Sequence, residues 1–119
     1  MTGAGILISA SANVEVYGNT VTGNKQGIVG IQQKRVHAGI DYSTNLKNLN
    51  VHDNTVQVAI GGVSGISSIS NLSFTSRNNR YVHNSYDIGT DLKPFSWMSS
   101  KRTKSQWQSY GNDVTGTFF

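Results

Sequence analysis

Apolar and polar residues alternate in short runs along most of the chain. Three stretches can be laid over one another: Asn13-Val-Glu-Val-Tyr-Gly-Asn19-Thr-Val21, Asn48-Leu-Asn-Val-His-Asp-Asn54-Thr-Val56, and Asn71-Leu-Ser-Phe74 continuing to Asn79-Arg-Tyr81. In each, apolar residues take alternate positions (Val14 and Val16, Leu49 and Val51, Leu72 and Phe74), the period of a strand with one buried face. Val21, Val56 and Tyr81 are followed seven positions later by Ile28, Val63 and Ile88, so the copies hold their phase. Gly5-Ile6 recurs as Gly27-Ile28, and Gly39-Ile40 is answered at Gly61, 22 positions on in both cases. A fixed period in this range marks a solenoid, whose repeats pack only on their neighbours.

One 22-residue coil is predicted to hold three short strands, roughly Ile6 to Ser9, Asn13 to Tyr17 and Thr20 to Thr22. Three such strands per turn make an all-β fold, a parallel β-helix. Asn19, Asn54 and Asn79 fall at one corner, where a tight bend suits a residue tolerant of the left-handed region. Stacked coils would align these amides in a ladder that satisfies buried polar groups.

Composition agrees with strands and turns. The 119 residues suffice for one small domain, with 13 Gly, 1 Pro and 13% charged residues. Cysteine is absent, which removes disulfide and thiolate chemistry without choosing a compartment. The net charge of +4 is mild, and the cations are scattered apart from Lys34-Arg35 and Lys101-Arg102-Lys104, so nothing resembles a nucleic-acid footprint. No apolar run is long enough to span a membrane.

The Gly-Ile-x-Ile opening, the Asn-Val-x-Val-x-x-Asn-x-Val middle and the next Gly-Ile, over about Gly5 to Gly89, resemble the repeats of the pectin-lyase-like right-handed β-helix superfamily. The resemblance implies a right-handed parallel β-helix of about three coils. It also implies an extracellular or periplasmic setting and a polysaccharide partner. That superfamily holds lyases, hydrolases, epimerases, tailspikes and adhesins, so the resemblance fixes no activity.

The 35 positions from Asn19 to Asn54 exceed one 22-residue coil, and the surplus is expected as a loop at about 32–45. This segment gathers Lys34, Arg35, His37, Asp41 and Tyr42. Guanidinium and ammonium groups beside an aromatic ring suit an acidic sugar, so Lys34, Arg35, His37 and Tyr42 are the candidate substrate-binding residues. The competing reading is a small hairpin whose Val36, Ala38, Ile40 and Tyr42 alternate while its charges face solvent. Elsewhere Glu15, His52, Asp53 and His83 are expected in different registers. His52 and Asp53 in particular should diverge, because adjacent strand residues point to opposite faces. No paired carboxylates or cation-plus-base groove can be assembled from first-strand positions such as Leu7, Ser9, Val29 and Ser64. No catalytic residue, metal ligand or cofactor is therefore assigned, although an upstream part of a longer protein could hold Ca²⁺.

After Gly89 the repeat stops. Residues 1–92 read as coils and 93–119 as an aromatic cap containing Phe95, Trp97, Trp107 and Phe118-Phe119. Thr103-Lys-Ser-Gln106 has capping-box spacing and Gly111 can end a helix, which predicts one short helix from about Lys104 to Tyr110 carrying Trp107 inward. The first coil shows no comparable cover, so preceding coils or another chain are expected over it. The expected function is the C-terminal part of a β-helix protein that binds or processes an acidic polysaccharide, as a lyase or epimerase would, and that is not catalytically complete alone. The alternative is a non-enzymatic glycan-binding or structural module of a tailspike or adhesin.

Overall fold

A computed structural model of the chain describes residues 4–9, 11–23, 26–33, 36–41, 46–57, 64–68, 72–88, 92–98 and 100–118. It is an all-β protein in which the chain passes repeatedly through the same three sheets. The first pass supplies β1 (Ala4–Ser9), β2 (Glu15–Tyr17) and β3 (Thr20–Thr22). The second supplies β4 (Gln26–Gln32), a hairpin of β5 (Val36–His37) and β6 (Ile40–Asp41), then β7 (Asn50–His52) and β8 (Thr55–Gln57). The third supplies β9 (Ser64–Ser68), the one-turn helix α1 (Leu72–Thr75), β10 (Arg80–Val82) and β11 (Ser85–Asp87). The last segment holds β12 (Phe95–Trp97), β13 (Ser100–Arg102), helix α2 (Lys104–Ser109) and β14 (Thr117–Phe118).

Strands of successive passes lie side by side and parallel. The first sheet runs β1-β4-β9-β12, with β13 added antiparallel; the second runs β2-β7-β10; the third runs β3-β8-β11-β14. The alternation seen in the sequence decides which side chains face inward. Val16, Val51 and Tyr81 form one in-register column, and Val21, Val56 and Tyr86 another. All six are buried, together with Ile8, Ile28, Leu46, Leu49, Ile66, Phe95, Trp97 and Trp107.

The third copy lies elsewhere than the alternation of Leu72 and Phe74 predicts. That stretch is the helical turn α1, and Arg80-Tyr81-Val82 pairs with Asn50-Val51-His52. Two apolar residues spaced by two cannot separate a strand from a single helical turn. The same register moves Asn79 out of the corner row and puts Asn84 in it. The repeat length differs as well. The β1–β4 register advances 22 positions, but β2–β7 advances 35 and β7–β10 advances 30. Passes of unequal length stay aligned because their strands are short and the differences fall in the connections.

The corner row is a directional hydrogen-bond ladder. Asn19 donates its backbone N–H and Nδ2 to Asn54 Oδ1 at 3.0 and 3.1 Å. Asn54 does the same to Asn84 Oδ1, both at 3.0 Å, and Asn84 to Asp113 Oδ1 at 2.9 and 2.8 Å. Asn54 and Asn84 also reach back to carbonyls of the preceding pass, Val16 O and Val51 O. Asp113, fully buried, ends the row with a group that only accepts. Its second oxygen takes Tyr86 Oη–H at 2.7 Å and Trp107 Nε1–H at 2.9 Å. Burial and the nearby Asp113 charge push the Tyr86 phenol well above its usual range, so it stays a donor.

Aromatic residues close this end. Trp107 stacks on Phe95 at 4.4 Å and meets Tyr81 edge-on at 4.9 Å, and Phe118 stacks on Tyr86 at 5.6 Å. Phe119 lies outside the described residues. Helix α2 carries Trp107 inward as its sequence predicts. Thr103 and Gln106 form both hydrogen bonds of the capping box. Gly111, at φ 90°, ends the helix in a Schellman arrangement, its N–H donating to Gln108 O and that of Asn112 to Trp107 O. The larger Tyr81 of the third pass reaches across the core to the first sheet. Its hydroxyl donates between Ile28 O and Gly65 O, both 2.8 Å away. Gly65 itself has φ 137°, and a Cβ there would collide with Ser96 O.

Candidate functional site

The corner between the second and third sheets has an outer row as well as the inner ladder. Gly18, Asp53 and His83 occupy it in successive passes, each in the left-handed region at φ 67°, 54° and 55°. Glycine takes this conformation freely, whereas Asp and especially His do so at a cost. The chain therefore tolerates backbone strain where it places an acid and an imidazole.

The turn at Asp53 brings together groups that the sequence reading separated. Strand β7 ends at His52, so the rule that adjacent strand residues face opposite ways stops applying there. His52 Nδ1 lies 2.6 Å from Asp53 Oδ2, and His52 Nε2 lies 2.6 Å from Glu15 Oε1 on the neighbouring strand β2. His83 Nε2 stands 4.0 Å from Asp53 Oδ1, while its Nδ1 meets Thr115 O at 2.9 Å. Glu15, His52, Asp53 and His83 thus converge, contrary to their expected separation. The signal for this was available as Asn78 and Asn84, which repeat the spacing of Asn13 to Asn19 and Asn48 to Asn54. Aligning on asparagines rather than on apolar residues puts His83 directly after the Val82 that matches His52.

Both nitrogens of the His52 ring face carboxylates. A neutral imidazole has one N–H and would turn a lone pair toward the other acid, so this geometry selects the imidazolium. Its pKa is raised above the usual 6.5, first by the hydrogen bond to Asp53 and then by that to Glu15, against the opposing effect of burial. Tyr17, outward on β2, stacks on the His52 ring at 5.2 Å and an 8° interplanar angle. Its own outer surface is open to solvent, with 60% of the residue exposed.

The register extends this into a surface. Glu15, Asn50 and Arg80 form one outward row across the second sheet, and Tyr17, His52 and Val82 the other. Arg80 donates through Nη1 to Asn78 O at 3.1 Å. The face therefore offers an aromatic plate, an amide, a guanidinium and an imidazolium held between two acids. Glu15 and Asp53 each give one carboxylate oxygen to the same ring. Among the described residues no group of three or more His, Asp or Glu side chains is arranged to hold a metal ion.

Of the residues singled out on the inserted segment, Lys34, Arg35 and Tyr42 lie outside the described residues. His37 ends β5, which pairs antiparallel with β6 through Val36↔Asp41 and His37↔Ile40. The turn is Ala38-Gly39 at φ 51° and 77°, the positive pair that a two-residue hairpin requires. The backbone here is the small hairpin of the competing reading. Its base is tied by Gln32, buried, whose Oε1 accepts from Leu46 N–H at 2.7 Å. The hairpin falls in the connection from β4 of the first sheet to β7 of the second.

No protein-family model, no curated protein and no solved structure matches this chain.

Proposed function

We propose that the passes are coils of a right-handed parallel β-helix of the pectin-lyase-like kind, and that the chain binds an acidic polysaccharide along the outer face of its second sheet. Three parallel sheets, each gaining one strand per pass, support the architecture, as do the stacked asparagines at its corner. The observation that carries the binding role is the exposed Tyr17 ring laid flat on His52. A sugar ring presents a flat patch of C–H groups that packs on an aromatic face, while its hydroxyls need donors and acceptors alongside. Asn50 and Arg80 stand in the adjacent row to supply donors. Arg80 offers a fork for a sugar carboxylate, and Lys34, Arg35, His37 and Tyr42 on the inserted segment extend the same cationic and aromatic chemistry.

The proposed role is binding without turnover. Cleavage of a glycosidic bond needs an acid and a second carboxylate or base that are separately available to the substrate, and Glu15 and Asp53 both pair with His52.

Calorimetric titration with a uronic-acid hexasaccharide and with a neutral hexasaccharide tests the reading. The acidic sugar should bind and the neutral one bind more weakly. Tyr17→Ala and Arg80→Ala should each weaken the acidic sugar by about tenfold, the size of one lost stacking or charge-assisted contact. Replacing Lys34 and Arg35 together by Ala should weaken it at least about tenfold and flatten its salt dependence. Equal affinity of Tyr17→Ala and the parent would remove the reading.

A further inference from the structure

The two ends of the asparagine ladder are chemically different. At the C-terminal end Asp113 accepts and donates nothing through its side chain, so the row is closed. At the other end Asn19 uses its N–H and Nδ2 on Asn54, and Nδ2 also on its own pass at Tyr17 O. Among the described residues no donor meets Asn19 Oδ1. In Asn54 and Asn84 the equivalent oxygen accepts two hydrogen bonds from the pass before, and Nδ2 donates to a carbonyl of that pass. The strands tell the same story, because β1, β2 and β3 each lie at the edge of their sheet. The inward valines are slightly more exposed here, Val16 at 8% against 0% for Val51.

We propose that the first pass is an interaction surface whose partner is a further parallel pass of the same design, carrying a corner asparagine that donates its N–H and Nδ2 to Asn19 Oδ1. The polarity of the ladder selects this partner. A second copy joined across a two-fold axis would set one Asn19 Oδ1 against another, acceptor against acceptor. A copy stacked head to tail would present the end closed by Asp113 and covered by Trp107 and α2, where the side chain in the row has no donor to give. Only a pass that stands to the first as the first stands to the second supplies two donors, a carbonyl for Asn19 Nδ2 and three parallel strands.

The surface can be tested by building its partner from this chain. The β4–β9 register spans 36 positions, so a copy of residues 26–61 placed directly before Ala4 puts a duplicate of Asn54 over Asn19. The extended chain should unfold about 5 °C higher than the original, and amides of β1 to β3 should exchange at least about tenfold more slowly. Asn54→Leu in the added copy alone should remove most of the gain. An added copy that is clipped by protease, with no rise in midpoint, overturns the proposal. The original chain provides a test that does not depend on the extension folding. Its β1 to β3 amides should exchange at least about tenfold faster than those of β7 and β8 at all protein concentrations. Equal protection, or protection that grows as the chain dimerises, overturns the proposal. None of these readouts involves a sugar, so they stand or fall separately from the glycan reading.

Discussion

Asp53 and Asn54 are neighbours at one corner, yet they belong to opposite regimes. Asn54 turns inward, is buried, and its amide oxygen and nitrogen are satisfied by three successive passes. Asp53 turns outward, sits in a strained backbone conformation and joins an exposed cluster with His52, Glu15 and His83. The inner row is identical in purpose at every pass, ending in Asp113. The outer row changes from Gly18 to Asp53 to His83 and serves no packing need. The contrast separates the row that holds the passes together from the row available for the proposed recognition, because an amide row left incomplete indoors is costly whereas an ion pair outdoors is nearly neutral.

The comparison breaks most sharply at the closed end. Asp113→Ala strands the backbone N–H and one Nδ2–H of Asn84, the Tyr86 hydroxyl and the Trp107 indole N–H in the core. It should cost about 4 kcal/mol in urea unfolding, near the upper limit for single substitutions. Asn54→Leu, in the middle of the row, should cost about 2 to 3 kcal/mol. If either change costs less than about 1 kcal/mol, the row is not what holds the passes in register.

How much of this was legible beforehand depended on which residues were used as rulers. Asn19-Thr-Val and Asn54-Thr-Val are nearly the same words, and they set two passes correctly. The third pass replaces both inward valines by Tyr81 and Tyr86, since its neighbour is the aromatic cap rather than another aliphatic layer. Aliphatic alternation therefore points to Leu72 and Phe74, which form α1, and not to Arg80-Tyr81-Val82, which pairs with β7. The helix of the cap was legible because its end signals are local: Thr103 and Gln106 at one end, Gly111 at the other. The convergence of His52 with Asp53 was not, because the rule for adjacent strand residues does not hold at Asp53, where the chain turns through the left-handed region. The inserted segment was found by its length, but its binding role rests on side chains that the described backbone does not reach.

Smaller effects belong to the outer row. Asp53→Gly should change stability by less than about 0.5 kcal/mol, since relief of the left-handed strain offsets loss of an exposed pair. A pH effect should also appear here. The folded-state pKa of His52 is raised, so its contribution is fully present below the ordinary value of 6.5 and is lost as pH rises through the raised value. The melting temperature should fall by about 2 °C between pH 6 and pH 9, the small size reflecting solvent screening. His52→Gln should flatten that slope, and an unchanged slope would show that the imidazolium pair contributes nothing.

The central claim, that recognition occupies the outer face of the second sheet while the inner row only builds it, is tested most directly by a backbone amide NMR titration. With a uronic-acid hexasaccharide added at pH 6, the account predicts shifts concentrated at Tyr17, Asn50, His52 and Arg80. The outward row of the third sheet, Thr20, Thr55 and Ser85, should stay still. Shifts centred on the third sheet, or none at millimolar sugar, would contradict it.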